Sequence, residues 1–132
     1  MKIVALDLNS GDLCDIEPVL QPLADSDDRL AAAKGRMFLA LVRHVRESGS
    51  EPRVVGQLLF DELILWPERG EAPATVTVRP DWYDYRPWEG ELPLMHYRVN
   101  IRPADRELSR DIRTQELERV ERAMREAFGW ES

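Results

Sequence analysis

Three aspartates near the start of the chain, Asp7, Asp12 and Asp15, have side chains that can ligate a metal ion. Asp7 stands near the end of the apolar run 3–8, which has the pattern of a buried strand. Carboxylates at the end of such a strand commonly hold a hard cation such as Mg²⁺, which takes oxygen ligands. One hypothesis is therefore a divalent-metal-dependent nuclease or phosphoryl-transfer enzyme that uses these three aspartates and Mg²⁺.

The string 7–11, Asp-Leu-Asn-Ser-Gly, resembles the opening of PIN-type nucleases, where an apolar strand ends in an Asp followed two residues later by a polar residue. It is also similar to the first motif of haloacid dehalogenase phosphatases, although Asn9 replaces the second Asp. A PIN-type fold implies a parallel sheet with alternating helices, whereas residues 75–102 have the pattern of consecutive strands. The alternative to a metal site is a solvated acidic loop followed by carboxylates at a helix start.

The same region carries all of the net charge. Residues 7–28 contain seven acids and no Lys or Arg, and the whole chain has a formal charge of −7. The rest of the chain is therefore neutral, and the asymmetry predicts an acidic end on the molecule. A sequence pI near 4.9 argues against general binding to nucleic acid.

An aromatic cluster offers a second kind of site. Residues 79–91 read Arg-Pro-Asp-Trp-Tyr-Asp-Tyr-Arg-Pro-Trp-Glu-Gly-Glu, and four of the ten aromatic residues of the chain fall within seven positions there. Trp, Tyr and Arg are enriched at interface hot spots because they bury a large area with few rotatable bonds. We expect an aromatic loop at 80–93 that binds a partner, with Trp82, Tyr85 and Trp88 as anchors and Arg86 paired with an acid. The neighbouring candidates are Arg79, Tyr83, His96 and Arg98. The alternative is that some of these rings only cover the end of the core.

Two alternating segments, 75–79 and 94–102, predict strands with one apolar side and one polar side. The polar side would carry Thr75, Thr77, Arg79, His96, Arg98, Asn100 and Arg102. A second alternative function is therefore nucleic-acid binding by Arg79, Arg98 and Arg102. Such a sheet lacks the aromatic side chains on which single-stranded bases stack, so nucleic acid is the less favoured partner.

The elements that position these residues predict a single α+β domain over 1–132. We expect an acidic loop at 9–25, a helix from Ser26 with Asp27 and Asp28 in its first turn, and mostly strand at 53–66. A last helix would start at Asp105, contain Ile112 and bend near Thr114. The order is β-α-β-β-β-α, as a two-layer sandwich with a mainly antiparallel sheet and both helices packed on one face.

Composition narrows the functional class further. Cys14 is the single cysteine, so an internal disulfide is excluded and a reducing, cytoplasmic location is expected. No apolar run is long enough to cross a membrane. The sequence shows no complete catalytic constellation, and we expect neither catalysis nor a cofactor. The favoured interpretation is a small protein-binding or regulatory module whose partner is another protein or a second copy, as a homodimer.

Overall fold

The computed structural model describes residues 1–69, 74–82, 94–103 and 109–130. Within these residues there are three helices and seven strands. The helices are α1 (Glu17–Ala24), α2 (Arg29–Arg46) and α3 (Leu117–Ala127). The strands are β1 (Lys2–Leu6), β2 (Leu13–Asp15), β3 (Arg53–Leu59), β4 (Glu62–Pro67), β5 (Ala74–Trp82), β6 (Met95–Pro103) and β7 (Arg110–Thr114).

The strands form one sheet in the order β2-β1-β3-β4-β5-β6-β7. β1 and β3 are parallel neighbours, and every other neighbouring pair is antiparallel. The predicted α+β class and mainly antiparallel sheet are confirmed. The predicted element order is wrong, because the sheet has more strands than expected and a third helix precedes α2.

One hydrophobic core joins the helices to alternate residues of the strands. Phe38 and Val42 of α2 and Met124 of α3 are buried with Val76 and Val99 of the two central strands. Val54, Leu63, Leu65, Tyr97 and Ile112 belong to the same cluster. Side chains on a strand alternate between its two sides, so the residues between these ones point away from the helices.

The predicted loop at 9–25 is instead a short strand and a helix. β2 pairs with β1, and α1 begins with Pro18 in its first turn and contains Pro22. Proline fits the first turn because its missing N–H has no helical partner there. Pro22 removes one hydrogen bond from the helix, and the complete burial of Ile16 and Leu20 offsets this loss.

The helix expected from Ser26 begins three residues later. Asp28 is its N-cap, and its side chain accepts hydrogen bonds from the backbone N–H groups of Leu30 (2.9 Å) and Ala31 (3.1 Å). Ser26 instead accepts a hydrogen bond from the N–H of Asp28 at 3.2 Å. The prediction of Asp27 and Asp28 in the first turn is wrong, because both precede Arg29 and the first turn contains no acid. The carboxylate of Asp28 serves as the cap instead.

Residues 53–66 are extended, as expected, but they form two strands joined by a two-residue turn at Phe60 and Asp61. The turn lacks the glycine that usually marks such a hairpin. β5 also continues through Pro80 to Trp82, so the first residues of the expected aromatic loop belong to a strand.

The last helix is shorter than predicted. Ile112 lies in β7, which pairs with β6, and α3 begins only at Leu117. The irregular step from Ile112 to Leu117 therefore marks a boundary between a strand and a helix, where a bend near Thr114 was expected. The predicted start of this helix at Asp105 lies outside the described residues.

Candidate binding surface at one end of the sheet

One end of the sheet collects several chain turns with exposed apolar side chains. Because β1 and β3 are parallel, their carboxyl ends lie at the same end of the sheet. β5 has the same direction as β3, since each is antiparallel to β4 between them. β6 starts where β5 finishes, with Met95 opposite Trp82. The chain segments that leave or enter the sheet here are 7–12, 60–61, 82, 94 and 115–116.

Five large apolar side chains at this end are exposed to solvent. The exposed fraction is 93% for Phe60, 81% for Leu94, 79% for Leu8, 43% for Leu59 and 40% for Leu6. Val19 of α1 is the remaining large apolar residue that is exposed among the described residues. We call Phe60, Leu94, Leu8, Leu59 and Leu6 together the apolar end. From β1 to β6 it spans four strand spacings, about 19 Å.

Phe60 also has an unusual backbone. Its φ is 58°, a left-handed conformation in which glycine is favoured and a bulky side chain is strained. The ring makes little contact with the domain, so packing does not explain the choice of phenylalanine at this position. Strained residues often occur where function requires them, which makes Phe60 a candidate contact residue.

The direction of α2 brings the acidic segment to the same end. Lys34 in the second turn of α2 contacts Asp61 in the β3–β4 turn, with Nζ 3.3 Å from Oδ2. At the other end of the helix, the carbonyl of Gly49 accepts a hydrogen bond from the amino group of Met1 at 3.1 Å. α2 is therefore antiparallel to β1, and residues 25–28, which precede Lys34, lie at the same end of the domain as the apolar side chains.

Local hydrogen bonds hold the carboxylates of this end in place. Asp7 accepts a hydrogen bond from the N–H of Asn9 at 2.9 Å. This bond and the hydroxyl of Ser10 lower the pKa of Asp7 below its usual value. Asp25 accepts a bond from the side-chain amide of Gln21 at 3.1 Å, and Asp12 and Asp27 are exposed. Among the described residues, none of these four aspartates forms an ion pair.

The three aspartates of the metal hypothesis are not brought together. Asp7 and Asp12 share the β1–β2 turn, where the N–H of Asp7 donates to the carbonyl of Asp12 at 2.8 Å. Asp15 pairs in register with Val4, three residues back along β1, which places it roughly 10 Å from the level of Asp7. Its carboxylate accepts a hydrogen bond from the N–H of Glu17 at the start of α1. Across the described ranges, no cluster of three or more acidic, His or Cys side chains is suited to a metal ion.

Of the aromatic-loop residues, the structure describes Trp82. Its ring lies under the ammonium group of Lys34, with Nζ 5.2 Å from the ring centroid. Trp82 therefore makes a cation–π contact within the domain, at the border of the apolar end. The other predicted contact residues of this loop, Tyr83, Tyr85, Arg86 and Trp88, lie outside the described residues.

Arg79, Arg98 and His96 lie on the opposite side of the sheet from Trp82, as the strand alternation predicts. Arg98 contacts Asp111 (3.2 Å) and Asp81 (3.6 Å), and Arg79 contacts Glu62 (3.7 Å) and Asp81 (3.8 Å). These bonds raise the pKa of Arg98 above its usual value. His96 is buried, with 3% of its surface exposed.

This pairing weakens the case for nucleic-acid binding by the sheet. Two of the three arginines proposed for that role, Arg79 and Arg98, share carboxylates, so they have less free charge for phosphate groups. Arg102 is exposed, and the sheet register places it beside Thr75. In its described part, this surface carries arginines and carboxylates that pair with each other.

A groove of about 1020 Å³ lies between the end of α2 and α3, far from the apolar end. Glu121 is its centre: Oε2 is 3.2 Å from Nε2 of His44, and Oε1 is 3.3 Å from Arg125 and 3.4 Å from the hydroxyl of Ser48. A serine nucleophile requires the histidine between the serine and the acid. Here Ser48 and His44 both contact Glu121, so the groove has the residue types of a hydrolase without the required arrangement.

Sequence reasoning missed Leu8, Phe60 and Leu94, the three most exposed large apolar residues in the described part of the chain. Leu8 and Phe60 looked like members of strands because each follows an apolar run. The available signal was a large apolar residue directly beside Asp7 or Asp61, since an aspartate next to the end of a strand often marks a turn.

Comparison of the chain with protein-family models, curated protein sequences and solved structures finds no match. In the described part of the chain, the helices are too short or too polar to cross a membrane. The fold and this surface define an α+β domain with one exposed apolar end.

Proposed function

We propose that the protein is a non-catalytic binding or regulatory module that docks a protein partner on its apolar end. The observation that carries this proposal is the exposure of Leu8 in the β1–β2 turn, Phe60 in the β3–β4 turn and Leu94 directly before β6, each with most of its surface in solvent. Monomeric proteins rarely expose a large contiguous apolar patch, and such patches commonly serve as interaction sites.

The rigid sheet supports this role. The turns that carry Leu8 and Phe60 are short and are anchored directly to β1, β2, β3 and β4. A preformed surface loses little conformational entropy on binding. Phe60 is favoured as the central contact because its ring is exposed and its backbone is held in a strained conformation.

A foreign partner fits this surface better than a second copy. A symmetric dimer whose twofold axis passes close to Leu8 would bring Asp7 and Asp12 of one copy toward the same residues of the other. Like charges brought together at an interface are unfavourable. Self-association remains the competing outcome of the experiment below.

The expected location is the cytoplasm. Cys14 is exposed and unpaired, and an exposed free thiol persists best in a reducing compartment. The partner should therefore be sought in cytoplasmic extracts.

The test compares the wild type with the double variant Leu8→Ser/Phe60→Gly. The matched control is Val19→Ser, which removes an exposed apolar side chain from α1. A carboxyl-terminal tag leaves the buried Met1 undisturbed. Proteins captured from cytoplasm are purified, and their affinity for each variant is measured by calorimetry.

We expect a partner that binds wild type and Val19→Ser equally and binds the double variant at least about tenfold more weakly. Equal binding to all three proteins would overturn the proposal. Sedimentation showing a stable dimer that Leu8→Ser/Phe60→Gly converts to a monomer would also overturn it, in favour of self-association.

A further inference from the structure

We infer that the partner docks through a basic, apolar segment in which Leu- or Phe-like side chains alternate with Lys or Arg. This inference rests on the proposed function and specifies the chemistry of its partner. It follows from the negative charge on the side of the apolar end that carries Leu8 and Phe60.

Part of the acidic segment 7–28 lies at one end of the folded domain. Asp7 and Asp12 lie in the β1–β2 turn beside Leu8, and Asp25 and Asp27 lie at the α1–α2 junction on the same end of the domain. The other acidic residues of the segment form hydrogen bonds or ion pairs within the domain. Glu17, for example, contacts Arg46 (3.0 Å) and Arg43 (3.5 Å) at the opposite end of α2.

Two basic side chains at the start of α2 are already engaged, whereas Arg36, Arg113 and Arg119 line the surface beside Leu94. Lys34 is held between Asp61 and the ring of Trp82. Arg29 at the first position of α2 also has an interaction partner. Four carboxylates without a described ion-pair partner therefore lie on the end of the domain that carries Leu8 and Phe60, and Asp7 accepts a hydrogen bond from the N–H of Asn9.

An acidic rim selects between partners that the apolar side chains alone would accept. Complementary charge at the rim of an interface raises the association rate and rejects partners of like charge. An apolar segment with acidic neighbours would be repelled, and a purely apolar one would leave the carboxylates without compensation. A segment that combines apolar and basic residues satisfies both parts of the surface.

The probes are two synthetic helical peptides that share the same leucine positions, with lysine at the polar positions of one and glutamate at those of the other. Binding is measured by calorimetry at low and high salt. The acid variant is Asp7→Asn/Asp12→Asn/Asp27→Asn. The control Glu47→Gln/Glu118→Gln/Glu126→Gln makes the same charge change on exposed residues at the far end of α2 and on α3.

We expect the lysine peptide to bind at least about tenfold more tightly than the glutamate peptide. Added salt should weaken this binding, because rim charges are screened at high ionic strength. The acid variant should lose about tenfold in affinity for the lysine peptide while the control loses little.

The outcomes separate this inference from the function on which it rests. If Leu8→Ser/Phe60→Gly abolishes binding and the acid variant does not, the basic character of the partner is refuted and the apolar docking surface stands. If Leu8→Ser/Phe60→Gly has no effect on binding, the docking surface itself is refuted. Binding of wild type to uncharged lipid vesicles in preference to the lysine peptide would refute the inference, because a lipid surface would then be the partner.

Discussion

The hydroxyl of Tyr97 on β6 donates a hydrogen bond of 2.8 Å to the carbonyl oxygen of Met37 on α2. This bond links the sheet to the helix that covers it, at a point where only 5% of the tyrosine surface is exposed. Burial raises the pKa of Tyr97 to about 12, because the phenolate would lose its solvation inside the core.

This pKa predicts a loss of stability in alkaline solution. The unfolded state ionises near pH 10.0, whereas the folded state keeps Tyr97 neutral up to about pH 12. The stabilisation is therefore fully present below pH 10 and is lost as the pH rises to about 12, by about 2 to 3 kcal/mol. Urea unfolding of wild type and Tyr97→Phe across this range should show a steeper loss for wild type. Parallel curves would contradict the prediction.

Gly35 is required by the close packing of α1 on α2. A Cβ at this position would lie 2.3 Å from the backbone nitrogen of Ala24 and 2.7 Å from its Cα, and both are backbone atoms that cannot move aside cheaply. Gly35→Ala should lower the free energy of unfolding by about 2 to 4 kcal/mol, although alanine is the better helix former. Thermal and urea unfolding measure this change.

The control for this prediction is Ala40→Gly, at an exposed position of the same helix. It should cost about 1 kcal/mol, the ordinary difference in helix propensity. A Gly35→Ala protein as stable as wild type would show that α1 does not approach α2 as closely as described.

Phe60→Gly should stabilise the protein while it removes the proposed contact. Glycine adopts a φ of 58° without steric cost, and the exposed phenylalanine ring contributes little packing. We expect a gain of about 1 kcal/mol in the free energy of unfolding. The neighbouring change Leu59→Gly, in β3, should instead reduce stability by about 1 kcal/mol or more. A loss of stability in Phe60→Gly would show that the ring has a structural role.

Glu121 should contribute more to stability than an ordinary surface charge. The sequence suggests only a helical pair with Arg125, worth a few tenths of a kcal/mol. In the fold, the carboxylate also contacts His44 and Ser48 and ties α3 to the end of α2. Glu121→Ala should therefore cost about 1 to 2 kcal/mol in urea unfolding. Glu118→Ala, on the same helix and exposed, should cost less than about 0.5 kcal/mol.

Side-chain periodicity and helix-capping chemistry make part of this fold predictable from sequence. The alternation of β5 and β6 depends only on the twofold period of a strand, and it correctly assigned Arg79 and Arg98 to the polar side of the sheet. The apolar stripe of α2 is likewise a property of one segment and its helical period.

The remaining features depend on contacts between distant segments. Residues 13–15 form a strand because they pair with β1. Residues 110–114 form a strand because they pair with β6. Propensity alone does not identify either, since a short polar strand gains its stability from its neighbour.

The sequence by itself determined the α+β class, the alternating sides of β5 and β6, and the concentration of negative charge in residues 7–28. Only the tertiary structure decided that Leu8 and Phe60 share one end of the sheet with Leu94 and that part of the acidic segment lies beside them. The parallel pairing of β1 with β3 and the reversed direction of α2 produce that arrangement. Local sequence does not encode such pairings, because their free energy comes from the common core that the distant segments bury together.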